Sequence, residues 1–126
     1  IADIYGKTGD AQYLPFFEDK LETVGLYSMF DFYGKYYSML STQDAPAMQK
    51  AAEKLGSIAG NLSTNMYRKF VSMNTLNKIK GAMTEKQNEM PNDTNISTAL
   101  AKIKTIMDDI KSRETNKMLV DRYKGF

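Results

Sequence analysis

The sequence predicts an all-α domain of about five helices, folded as antiparallel helical hairpins stacked on one another. Apolar side chains recur at steps of three and four along nearly the whole chain, and no stretch alternates apolar with polar residues as a half-buried strand would. Lone glycines and prolines punctuate these stretches. The connections they leave are too short for long crossovers, so successive helices should run roughly antiparallel.

Tyr13, Leu14, Phe17 and Leu21 suit a first helix, and Leu26, Phe30, Tyr33, Tyr37 and Leu40 a second, with Gly25 between them. Met48, Ala52, Leu55, Ala59 and Leu62 form a third stripe. Asp44 is placed to cap it, Pro46 sits in the first turn where its missing N–H is harmless, and Gly60 and Asn61 mark its end. The fourth stripe is Met66, Phe70, Met73, Leu76, Ile79 and Met83, with Ser63 as the expected N-cap and an end near Gln87. Past Pro91, Ile96, Leu100, Ile103, Met107 and Ile110 share one face while Lys102, Lys104, Asp108, Asp109 and Lys111 point away; Asn92 to Asn95 offer caps. This last helix is expected to run over 96–123. Glu114 and Lys117 take its next two heptad places, so it is no coiled coil, and Met118, Leu119 and Tyr123 must bury along a shifted line. The stretches from Gly9 to Leu40 and from Asp44 to Gln87 make two hairpins of unequal length.

At 126 residues, 42% hydrophobic and 25% charged, the chain reads as one domain over 1–126. A chain of this size buries about two-thirds of its unfolded surface, so its core needs neither disulfide nor metal. A net charge of +2, with basic clusters only at Lys78 to Lys80 and Arg122 to Lys124, argues against a nucleic-acid partner. No apolar run approaches the roughly 20 residues of a membrane span. The chain starts at Ile1 without signal-peptide features and reads as an excised piece of a longer protein.

The absence of histidine and cysteine removes the usual zinc ligands and the imidazole that most serine, cysteine and threonine nucleophiles need. Carboxylate chemistry is still open through Glu18 with Glu22 and Asp108 with Asp109, but both pairs have lysines nearby on faces expected to be solvated. No glycine-rich phosphate loop occurs, and glycosylation triplets at Asn61, Asn92 and Asn95 fix no compartment. The eight tyrosines, six phenylalanines and nine methionines fall mostly at helical spacing and read as core. Two places stand apart as a candidate partner surface. Tyr36 and Tyr37 face about 100° apart on a helix, so one of them should reach solvent or a partner, and Arg68 with Lys69 lies among aromatics on the fourth helix.

The stretch YGKTGDAQYLPFFEDKL from Tyr5 to Leu21, FDFYGKYYSML from Phe30 to Leu40, and the later AAEKLGSIAGNLSTNMYRKFVSMNTLNKIK resemble the C-terminal helical region of M1-family zinc aminopeptidases, the Bacteroidetes type most closely. The resemblance covers roughly residues 1 to 90 and implies a short HEAT-like superhelix. It implies that the parent is a zinc metallopeptidase removing N-terminal residues from peptides. This segment would wall the substrate chamber and support the upstream catalytic domain of the same chain, with peptide substrate on its concave face. The family's HExxH zinc motif and GAMEN-type loop have no counterpart here, so no catalytic, metal or cofactor residue carries over, and the segment alone is expected to hold no cofactor. The alternative is a free-standing interaction module, such as an adaptor, a secretion-system component or an immunity protein.

Overall fold

A computed structural model describes residues 11–126, and among these every regular element is helical. A 3₁₀ turn at Ala11–Tyr13 leads into α1 (Leu14–Lys20), followed by α2 (Leu26–Leu40), α3 (Ala45–Ala59), α4 (Met66–Glu89), α5 (Thr94–Arg113) and α6 (Lys117–Tyr123). The all-α prediction holds, with helices packed as a small bundle. Tyr5 to Asp10 of the family-like stretch, and the Gly9 start of the first hairpin, lie outside the described residues.

Local chemistry sets most helix starts. Asp44 caps α3 by accepting from the Ala47 amide at 3.0 Å, with Pro46 in the first turn as expected. Asp93 caps α5 through the Asn95 and Ile96 amides at 2.9 and 3.4 Å. For α4 the expected cap is displaced. The Ser63 amide donates to Asn61 Oδ1 in a turn closed by the Thr64 amide on the Asn61 carbonyl, so the helix begins two residues later and Asn65 caps it through the Tyr67 amide at 2.8 Å. Its C-terminal end lies at Glu89, just before Met90 and Pro91, a proline being hostile to helical geometry in the residue ahead of it.

Pairs along the helices fix their directions. Phe30 meets Phe70 at 6.4 Å between ring centroids and Tyr37 reaches the Lys78 carbonyl at 3.3 Å, so α2 and α4 run parallel. Lys69 near the start of α4 meets Glu114 just past α5, and Gln87 near its end donates to Ser97 near the start of α5, so α4 and α5 are antiparallel. α3 runs with α5, Gly56 lying against Ile106 and the Gly60 carbonyl accepting from Arg113 at 3.4 Å. The central rod is α4, which packs on α2, α3, α5 and α6. This explains why Lys69, Ser72 and Thr75 are buried along with Val71, Met73, Leu76, Ile79 and Met83.

The predicted stripes of α3 and α5 are buried throughout, except Leu62, which lies beyond the end of α3 and is exposed. That of α2 is not. Met29, Tyr33, Tyr36, Met39 and Leu40 are buried, while Leu26 and Phe30 are exposed. The rotation follows from two simultaneous partners. Phe17 of α1 lies 4.7 Å from Phe32 and 6.5 Å from Tyr36 between ring centroids, and the Tyr33 hydroxyl donates to the Leu21 carbonyl at 2.7 Å while accepting from Ser72. Nor is the last helix continuous over 96–123: it stops at Arg113, Glu114 turns extended, and α6 starts at Lys117 under an Asn116 cap on the Met118 amide. Leu119 and Tyr123 bury along the new line, whereas Met118 stays exposed.

Gly56 marks the closest approach of α3 to α5, since a Cβ there would sit 2.5 Å from Ile106 Cγ2, a methyl on a stiff β-branched side chain. Alanine normally gains about 1 kcal/mol over glycine within a helix. Here the overpacking, about 1–3 kcal/mol, should outweigh that gain, so Gly56→Ala is expected to lower stability by about 1 kcal/mol in urea unfolding. Combining Gly56→Ala with Ile106→Ala should lose less than the sum of the two single losses, because the second substitution removes the clashing methyl.

Candidate partner-binding groove

The four residues singled out as a partner surface divide in the fold. Tyr36 is fully buried, with its hydroxyl donating to Glu18 Oε2 at 3.2 Å. Burial first, then the Glu18 charge and hydrogen bond, hold its phenol far above the ordinary tyrosine range. Lys69 is only 4% exposed. Neither belongs to any surface, which corrects the expectation: Tyr36 faces α1, and Lys69 points at Glu114 across the start of α4. Tyr37 is half-buried, its hydroxyl on the Lys78 carbonyl and its ring 5.7 Å beneath the Lys78 ammonium. Arg68 is a structural clamp, donating to the Leu21 and Val24 carbonyls at 2.6 Å each and so tying the turn after α1 to α4.

The Lys69–Glu114 pair, with Nζ 2.7 Å from Oε1, has both side chains within 5% of complete burial. Glu114 Oε2 accepts the Thr115 and Asn116 amides at 3.1 and 3.0 Å, so one carboxylate both ends α5 and orders the turn into α6. Burial raises the Glu114 carboxyl, but Lys69 and the two amides together outweigh it and hold the group below its usual range. Beside it the Tyr123 hydroxyl is buried with no hydrogen-bond partner among the described residues, and burial followed by the Glu114 charge keeps the phenol protonated.

By holding α6 against α4, this pair builds a groove that the sequence did not disclose. Phe30 of α2, Met66, Tyr67 and Phe70 of α4, and Met118 and Arg122 of α6 line an apolar depression of about 220 Å³. Phe30, Tyr67 and Met118 are each more than half exposed, and Leu26, one turn before Phe30, extends the same face. Phe70 forms the floor, 6.0 Å from Phe126, with the Arg122 guanidinium 5.5 Å from its ring centroid. Phe30 and Phe70 had been assigned to the core because they fall at helical spacing. The signal that marks them is excess: α2 carries more apolar side chains than one helical face can bury.

Three of the four carboxylates weighed for catalysis are held by partners of their own. Glu22 is bonded to Lys54 at 2.7 Å, Asp109 to Arg113 at 2.9 Å, and Glu18 to Tyr36, while among the described residues no three acids gather as a metal cage would require. No protein-family model matches this chain, and no curated protein or solved structure is significantly similar to it. The likeness to M1 aminopeptidases therefore rests on the quoted stretches alone.

Lys69→Met should leave Glu114 as an uncompensated buried charge and destabilise the fold by about 3–5 kcal/mol. The pH dependence has a definite sign. Because the folded carboxyl lies below its reference value of 4.5, Glu114 contributes stability above that pH and loses it as the pH falls through the lower folded value. Glu114→Gln, measured by urea unfolding against pH, should therefore be least stable relative to the wild type near neutrality, and the two curves should converge in acid.

Proposed function

We propose that this chain is a non-catalytic helical module that docks a protein surface through the groove between α2, α4 and α6. The observation that carries the reading is the groove itself: aromatic and methionine side chains from three helices are left in solvent beside a tightly packed core. Contiguous exposed apolar patches of this kind mark interaction sites, and an aromatic centre flanked by arginine is the composition of an interface hot spot. The Lys69–Glu114 pair supports it further by holding the α6 wall rigidly, which limits the ordering penalty of binding. In the reading that the sequence resemblance carries, the docked surface is the catalytic domain of the same chain, and the helices wall the substrate chamber of an M1-type zinc aminopeptidase. In the free-standing reading it is a separate protein.

An apolar fluorescent dye should bind the wild type and lose most of that binding in Phe30→Ser/Met118→Ser, whose positions are exposed enough to leave the circular dichroism spectrum unchanged. Equal dye binding by both would sink the groove. The purified chain should also bind no zinc and leave aminoacyl anilides intact; stoichiometric zinc or turnover would sink the non-catalytic assignment.

A further inference from the structure

We infer that the occupant of the groove is an acidic protein segment that seats an apolar side chain on Phe70 and lays carboxylates across Arg122 and a neighbouring lysine cleft. The inference rests on the groove being a docking surface, and what it adds is the chemistry of the partner. Arg122 lies over the Phe70 ring and makes no ion pair among the described residues, so its charge sits at the lip of the depression uncompensated. Lys117, at the exposed start of α6, likewise makes no ion pair among them, Asp121 one turn on being paired with Lys124 at 3.3 Å. Phe126 connects this lip to a second feature: its ring lies 6.0 Å from Phe70, and its carbonyl oxygen accepts from Lys80 Nζ at 2.6 Å. Lys80 lines a cleft of about 240 Å³ between α4 and α5 together with Lys104 and Lys111, where Asp108 is the one acid among the described residues. Burial, then Lys111 and Lys104, disfavour the Lys80 charge, so the cleft is electrostatically unbalanced and a bound carboxylate would relieve it.

The same charges would attract an anionic membrane. The apolar side chains, however, line a depression shared by three helices rather than one long apolar helix face of the kind that lies in a membrane interface. A peptide segment with an aromatic or aliphatic anchor and flanking acids fits both the concavity and the charge.

Selection of a phage-displayed random peptide library on the whole chain, counter-selected on Phe30→Ser/Met118→Ser, tests this directly. The expected consensus has an apolar anchor flanked by Asp or Glu. A synthetic consensus peptide should bind the wild type about tenfold more tightly than Arg122→Gln or Lys104→Gln/Lys111→Gln, and lose affinity as salt rises. A neutral or basic consensus, or affinity indifferent to these substitutions, overturns the acidic partner while leaving the groove as a docking site. If no peptide distinguishes the wild type from the counter-selection variant, the groove reading falls as well. Binding to phosphatidylglycerol vesicles that is lost in Phe30→Ser/Met118→Ser would instead assign the surface to lipid and overturn the proposal.

Discussion

Taking an ammonium and a carboxylate out of water together costs several kcal/mol per ion, and the arrangement survives only where close contact and further hydrogen bonds offset the loss. Lys69 and Glu114 meet both conditions, at 2.7 Å and with two backbone amides on the second carboxylate oxygen. The contact depends more on charge than on direction, since Oε1 has no well-aligned hydrogen bond. Its consequences reach beyond itself. The carboxylate is drawn inward at the position where α5 would otherwise continue, the chain turns extended, and α6 restarts on a new line across α4. Without that break, the third wall of the groove would point elsewhere.

The second constraint is the placement of α4. A helix that packs on four others has little polar face left along its first half, and α4 there buries polar groups that are each matched: Lys69 by Glu114, Ser72 by the Tyr33 hydroxyl, and Thr75 by the Val71 carbonyl at 2.8 Å. Arg68 extends the same logic to the edge, holding two carbonyls of the turn that follows α1. Small residues set the distance on the other side, where Gly56 lets α3 approach Ile106 of α5. The core is thus specified by polar matching and by close helix contact as much as by greasy volume.

The proposed docking role rests on what this packing leaves over. α2 must satisfy α1 and α4 at once, and the compromise turns Leu26 and Phe30 outward beside Tyr67 and Phe70. The cations of α6 and of the cleft between α4 and α5 border that apolar surface with few acids to balance them. An apolar floor with a cationic margin favours an acidic partner, whether that partner is another domain of the same chain or a separate protein. Of the carboxylates weighed for acid–base work, Glu18, Glu22 and Asp109 each have a partner of their own.

Spacing alone carried the helices far: Ile96 through Ile110 and Met48 through Ala59 are buried as their period demands, and Asp44 caps α3 as its position before Pro46 implies. Of the residues named as a partner surface, Lys69 and Tyr36 are buried, because adjacent residues diverge by about 100° and nothing local says which one faces the core. Glu114 gave warning as a charge in an apolar heptad place, yet its partner Lys69 lies far away in the chain and could be found only by folding. What the sequence determined by itself was helix type, the order of the helices and the cap at Asp44, which arise from interactions between residues a turn or less apart. What the tertiary structure alone decided was which face of α2 is buried, where α5 ends and which apolar residues remain in solvent, because each depends on contacts between side chains that the chain brings together only when it closes.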